Sequence, residues 1–275
     1  MGLLKMKFLK SVLRIGRKIL ATVGLDPNDY PRVTYLFFLP FIPILALMLR
    51  SWLLPTRNFG IIRFKKNMYD LFFPFNGLGN LIEILFKAPH EEVFTLEPED
   101  TVIDIGAFVG FFTIKAAMIA NKVIAIEPHP KNFDLLQKNV SHFKNVILLK
   151  KALGSFEGEV NLHVLPATPY GSSMRFNYGY GHIKVSVVPL DKIASEIGIH
   201  SPYEKLFIKV DVEGAEIDVL KGARQTIKKP GTRLVVEANH YPGEVQEVCE
   251  FLKGEGLEII KITDRNYIHV KMFQI

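Results

Sequence analysis

The ten residues Thr101-Val-Ile-Asp-Ile-Gly-Ala-Phe-Val-Gly110 constrain this chain more than any other stretch. Their apolar, β-branched start favours a buried strand, and Gly106 ends it in a tight turn. Gly110 then precedes a helical pattern. A strand, a glycine turn and a helix start in this order leave backbone N–H groups and a positive dipole end facing one point, where a nucleotide-like ligand can sit. A second apolar run, Lys122 to Ile126, closes on Glu127, a carboxylate placed to accept both hydroxyls of a ribose. The expectation is an adenosine-containing ligand held by Asp104, Gly106, Ala107, Phe108, Gly110 and Glu127.

The glycine spacing discriminates between ligands. A nicotinamide dinucleotide fingerprint needs Gly-x-Gly-x-x-Gly, because a glycine lets the backbone approach the pyrophosphate. Here the pattern is Asp-x-Gly-x-x-x-Gly, and the bulky Phe108 falls near the middle glycine. S-adenosyl-L-methionine has no phosphates and asks only for a loop around its methionine part and a clasp for its ribose. It is the expected cofactor, against a nicotinamide oxidoreductase or a plain turn without ligand.

Apolar runs at Val102–Ile105, Val123–Ile126, Val146–Leu149, Leu206–Val210 and Leu234–Glu237 alternate with helical patterns. This rhythm predicts right-handed crossovers and a doubly wound, mostly parallel α/β sheet. Two final runs, Leu257–Thr263 and Asn266–Met272, are split by Asp264-Arg265, which predicts a β-hairpin and an antiparallel edge, seven strands in all. Ser155–Pro189 interrupts the rhythm. It reads as a hairpin at Glu159–Leu165, a loop rich in Gly and Tyr at 168–182, and a strand at Ile183–Val188. The loop's aromatic faces and hydroxyls suit a sugar, and loops of this size are commonly functional.

Charge divides the chain. Residues 1–66 hold twelve Lys or Arg against Asp26 and Asp29, a balance of +10 that outweighs the chain's net +6, so the remainder is mildly acidic. No aromatic-interleaved basic patch occurs there, which argues against a nucleic acid partner. The single cysteine, Cys249, can form no internal disulfide and is expected to pack in a helix. Leu3–Val23 sets Lys7, Lys10, Arg14 and Arg17 on one helical face and Phe8, Val12, Ile15 and Ile19 on another, a pattern suited to an anionic lipid surface. Val33–Leu49 then runs seventeen residues without a charge, the lower limit for a span, with Pro40 and Pro43 set to kink it. The expected organisation is a helical, membrane-directed extension at 1–58, a connecting region at 59–100 and a catalytic domain at 101–275. Within the connection, Gly60–Phe64 is expected as a strand, Phe72–Asn76 as part of a lid and Gly77–Phe86 as a helix. A monotopic or re-entrant anchor, with the catalytic domain on the cytoplasmic side, fits these residues better than a clean crossing.

Residues 101–260 resemble the FkbM family of S-adenosylmethionine-dependent O-methyltransferases. The resemblance rests on Val-Ile-Asp-Ile-Gly-Ala at 102–107, Ala-Ile-Glu-Pro-His-Pro-Lys-Asn-Phe at 125–133, Lys-Ala-Leu-Gly at 151–154 and Gly-Ser-Ser at 171–173. Leu-Asp at 190–191, Ile-Lys-Val-Asp-Val-Glu-Gly-Ala-Glu at 208–216 and Val-Glu-Ala-Asn-His at 236–240 complete it. Phe108 departs from the family, which often carries a polar residue there. The resemblance implies a class I methyltransferase fold and methyl transfer to a hydroxyl, here of a saccharide, glycan or glycolipid-like acceptor.

Since ligands of open α/β sheets sit beyond the strand carboxyl ends, Asp104, Glu127, Asp211 and Glu237 are expected to converge on one crevice. Asp104 would pin loop amides or receive the cofactor's ammonium, and Ala152 and Leu153 would flank adenine. A hydroxyl is a poor nucleophile, so a base is expected, with Asp211 and His240 the best placed, supported by Glu213 and Lys209. For Glu216 a helix-start role is favoured. Asp211, Glu237 and His240 could instead hold a divalent ion, but with no dedicated motif present no metal is expected. The rival reading is a non-catalytic, membrane-tethered module that keeps the cofactor fold as a scaffold.

Overall fold

The computed structural model describes residues 51–55, 60–64, 69–73, 89–165, 171–199 and 204–272. The basic amphipathic helix, the uncharged run and the expected helix at Gly77–Phe86 lie outside them. The chain forms two compact units, residues 1–87 with 166–170, and residues 88–165 with 171–275.

In the first unit, β1 (Ser51–Pro55), β2 (Gly60–Phe64) and β3 (Tyr69–Phe73) form an antiparallel sheet in that order. Gly60–Phe64 is the strand the sequence predicts. Ser51–Pro55, within the extension expected at 1–58, is a strand rather than a helix: it pairs residue for residue with β2, from Ser51 opposite Phe64 to Pro55 opposite Gly60. Phe72 and Phe73, expected in a lid, belong to β3. Among the described residues no helix is long and apolar enough to cross a membrane.

The second unit is a doubly wound α/β domain. In chain order it holds β4 (Thr101–Ile105), α1 (Phe111–Ala117), β5 (Lys122–Ile126), α2 (Pro130–Val140), β6 (Val146–Leu149), β7 (Ala152–Leu153), β8 (Gly158–His163) and β9 (His182–Val188). It continues with α3 (Leu190–Glu196), β10 (Leu206–Val210), α4 (Glu216–Lys221), α5 (Arg224–Ile227), β11 (Arg233–Glu237), α6 (Glu244–Gly254), β12 (Glu258–Ile262) and β13 (Tyr267–Lys271). The main sheet has seven strands, ordered β12-β13-β11-β10-β4-β5-β6. β11, β10, β4, β5 and β6 are parallel, and β13 lies antiparallel between β11 and its hairpin partner β12. This is the class I methyltransferase arrangement.

β4 and β10 are buried at every residue, as both faces of a parallel sheet covered by helices require. Ile103, Ile124, Phe207 and Ile208 lie fully inside, each such side chain worth about 1.5–3 kcal/mol of apolar burial. Cys249 packs in α6 against this core, as expected. Pro130 starts α2, where its missing N–H costs nothing. The chain winds from β4 toward β6 and then returns to the other side through β10, so the strand order reverses between β4 and β10. That reversal opens a crevice at their carboxyl ends.

The expected hairpin at Glu159–Leu165 is corrected. β8 is one strand, and its antiparallel partner is β9, across the aromatic loop, with Gly158 opposite Val187 and His163 opposite His182. β7 joins β9 in parallel to complete a small three-stranded sheet. Local alternation marks a strand but not its partner, and here the partner lies beyond a long loop.

Candidate active site

The glycine loop leaves β4 and is fixed from several sides. Gly106 and Ala107 donate backbone N–H bonds to Ile126 O at 3.0 Å, and Asn139 Nδ2 donates to Val109 O at 2.7 Å. Gly106 has φ 77°, and a Cβ there would lie 1.7 Å from Asp211 O, so only glycine fits. Gly110, at φ 92°, precedes α1. Phe108 also has a left-handed φ, 53°, a strained conformation for an aromatic residue, which such loops hold only when their surroundings impose it.

Glu127 follows β5 and is buried, 5% exposed. Its Oε2 accepts Phe108 N–H at 2.9 Å, while Oε1 accepts His129 N–H at 2.9 Å and Asn132 Nδ2 at 3.3 Å. A carboxylate offers about four lone-pair positions, so these donors orient it and leave capacity for a diol. Burial, opposed by the same three donors, pushes its carboxyl up to about 7.

Asp104 takes a different part from the expected one. It is wholly buried, and its oxygens accept Thr113 Oγ1 at 2.6 Å and Lys209 Nζ at 3.1 Å rather than loop amides, which leaves it shielded from a cofactor ammonium. Lys209 also donates to Gly106 O at 2.9 Å and lies 3.6 Å from Asp211 Oδ2. Burial opposes its charge, but Asp104 and Asp211 override it and hold the ammonium above its usual range. Lys209 therefore ties the glycine loop to the end of β10. Ala152 and Leu153 turn their side chains into apolar cores, so only their backbone could line an adenine.

The second half of the crevice lies at the ends of β10 and β11. Asp211 donates its N–H to Ile105 O, and the next turn puts Glu213 at φ 57° and Gly214 at φ 96°. Burial raises Asp211's carboxyl, yet Lys209 and His240 dominate and hold it below its usual value. Glu213 is pushed to about 7 by burial and by Asp211. Glu237 is raised to about 8 for the same two reasons. His240 Nε2 lies 3.8 Å from Asp211 and 3.9 Å from Glu213, while Nδ1 lies 3.4 Å from Glu216 and 3.3 Å from Glu244. Burial disfavours its charge, but Glu244 and the other carboxylates raise it to about 10, so the ring is an imidazolium at neutral pH. It is their counter-ion rather than a free base.

Glu216 starts α4 as expected, accepting Val212 N–H at 2.9 Å, but it is also fully buried against Glu244 and held well above its usual pKa by burial and that neighbour. The aromatic loop closes on this half: Ser173 Oγ donates to Glu213 O at 2.6 Å, and a Cβ on Gly214 would strike the Phe176 ring at 2.3 Å. Phe176 meets Tyr241 edge to face at 5.9 Å, and the Arg175 guanidinium stacks 4.1 Å above the Tyr241 ring.

Sequence reasoning missed His90, Asn139, Ser173 and Tyr241. His90 lies in a 3-10 turn (Pro89–Glu91) before β4, 3.9 Å from Glu237 Oε2. Asn132 and Ser173 carried a signal, since each lies in a motif shared with the resembling family, at 125–133 and 171–173, and Tyr241 directly follows a third at 236–240. His90 and Asn139 come from segments that carried none.

Comparison with known proteins identifies the family. The Methyltransferase FkbM domain family matches residues 104–267, more than half of the chain. Hexuronic acid methyltransferase AglP of Haloferax volcanii is 27% identical over 176 residues, covering 62% of this chain and 70% of its own. Methyltransferase sdnD of Sordaria araneosa is 26% identical over 216 residues, covering 62% and 82%. Among solved structures, methyltransferase FkbM from Methylobacillus flagellatus superposes with a TM-score of 0.45 at 16% identity; the match covers 72% of this chain and about half, 54%, of that one.

Proposed function

The chain belongs to the methyltransferase FkbM family, and on that premise we propose that it methylates a hydroxyl of a saccharide, glycan or glycolipid-like acceptor. It is an S-adenosylmethionine-dependent methyltransferase. When bound, that cofactor supplies a methyl group activated on a sulfonium. The crevice fits it: a loop that excludes any Cβ at Gly106, and a buried Glu127 with lone pairs to spare. On this reading Gly106, Ala107, Phe108 and Gly110 wrap the cofactor, Glu127 holds its ribose, and the backbone of Ala152 and Leu153 borders its base.

The acceptor then lies at the β10 and β11 ends. Its hydroxyl proton passes to the carboxylate pair Asp211 and Glu213, with the His240 imidazolium answering their charge and Lys209 fixing Asp211 relative to the glycine loop. Alignment and exclusion of water do the rest of the work. The observation that carries the acceptor class is the aromatic wall of Phe176 and Tyr241 fastened over Glu213 by Ser173; a relative named for hexuronic acid supports it. Residues 1–50, basic and apolar by turns, support a membrane surface as the place where a lipid-linked acceptor is met. The non-catalytic module is not favoured, since a scaffold has no use for desolvated carboxylates at a strand edge.

Incubating the full chain with methyl-labelled cofactor and a panel of neutral and acidic oligosaccharides tests this reading. Label in a sugar methyl ether, absent with Glu213→Gln, is the expected result. Label only in protein, lipid chains or RNA contradicts it.

A further inference from the structure

We propose that His90, Asp211 and Glu237 form a divalent-cation site on the acceptor side of the crevice, with an imidazole nitrogen and two carboxylate oxygens as ligands for Mn²⁺ or Mg²⁺. One ligand atom from each of the three lies within 4.8 Å of the others. His90 is 3% exposed, and its Nε2 has no hydrogen-bond partner although Glu237 Oε2 is only 3.9 Å away. A buried nitrogen left unpaired is costly and uncommon in folded proteins. A ligand explains it.

The ring is held in place for this use. It packs edge to face against Phe112 at 5.2 Å and Tyr267 at 5.1 Å, which fixes the direction of Nε2. Glu237 is oriented in turn by Asn239 Nδ2 at 2.7 Å, as ligating carboxylates commonly are. Charge points the same way. Lys209 and His240 already serve Asp104, Asp211, Glu213, Glu216 and Glu244 between them, so a divalent ion adds positive charge to a carboxylate-rich rim. Two further clusters, Asp211 with Glu213 and His240, and Glu216 with His240 and Glu244, each depend on a ring already engaged as a counter-ion. The set containing His90 does not. Oxygen-rich donors with one imidazole suit harder divalent ions.

What the ion does rests on the proposed reaction. An acceptor hydroxyl bound to it becomes more acidic; Asp211 then serves as a ligand, and Glu213 takes the proton. The freed oxygen pair forms the bond to the methyl carbon, the carbon–sulfur pair returns to sulfur, and the sulfonium leaves as a thioether.

The test is a titration of the full chain, stripped with EDTA, with Mn²⁺ followed by the paramagnetic resonance signal of the free ion. One ion per chain is expected, weakened at least about tenfold by Glu237→Gln and by His90→Gln and within about twofold of the wild type in Glu127→Gln. Should His90→Gln lose its fold by circular dichroism, Glu237→Gln decides. Folded wild-type protein that binds no Mn²⁺, or binding indifferent to Glu237→Gln, overturns the site. Methyl transfer that persists in EDTA without bound ion sinks the site and leaves the methyltransferase reading intact; bound Mn²⁺ without transfer to any sugar does the reverse.

Discussion

The two halves of the crevice solve the same problem, a carboxylate withdrawn from water, by different means. At the end of β5, Glu127 is satisfied by backbone and amide donors, Phe108, His129 and Asn132. At the ends of β10 and β11, Asp211, Glu213, Glu216 and Glu244 gather around the cations Lys209 and His240, with Glu237 beside Asp211. Neutral donors set a shape, which suits recognition of a constant ligand. A surplus of coupled carboxylates sets a charge state that an incoming proton or ion can change, which suits chemistry.

The comparison predicts where substitution costs rate and where it costs fold. Largest is Glu213→Gln, expected to lower kcat by about 10² to 10⁴ with cofactor affinity unchanged; single-turnover assays beside calorimetry check it, and equal losses in both would erase the distinction between the halves. Next is Lys209→Met. It strips the cation from the buried Asp104 and the half-buried Asp211, and urea unfolding is expected to show a loss of about 3–5 kcal/mol.

Gly106→Ala follows, at roughly 3 kcal/mol, because the new Cβ meets Asp211 O and the residue needs positive φ. Gly179→Ala, with nothing within 4 Å of its Cβ, isolates the conformational part and is expected to cost only about 1 kcal/mol. The smallest effect is a pH dependence at Glu127. Its folded pKa, about 7, lies above the ordinary 4.5, so its contribution to stability is fully present below about 4.5 and is lost as pH rises through 7. Glu127→Gln should therefore gain on the wild type between pH 5 and 8, by about 2–4 °C in Tm for each kcal/mol. A constant difference across that range would contradict the burial of this carboxyl.

Much of the α/β domain was legible because its strands are near-continuous apolar runs ending in a charge or a glycine; Val146–Leu149 and Leu206–Val210 coincide with the expected bounds. Residues at strand ends were legible for the same reason, since topology alone sends Glu127, Asp211 and Glu237 to one rim. Pairing at a distance was not. Nothing in Glu159–Leu165 indicates that its partner lies at His182–Val188, and Pro-His-Glu at 89–91 gives no sign that His90 returns to Glu237. Charge states were illegible too. His240 reads as a base in sequence, and only the four carboxylates gathered around it make it an imidazolium.

The central claim is that the loop at Gly106 and the clasp at Glu127 recognise S-adenosylmethionine while the β10 and β11 edge performs the transfer. Isothermal titration of the cofactor into the wild type, Glu127→Gln and Glu213→Gln tests it directly. One site in the wild type, weakened about tenfold or more by Glu127→Gln and unmoved by Glu213→Gln, is the predicted result; equal affinity in Glu127→Gln, or no binding to folded wild-type protein, would contradict it.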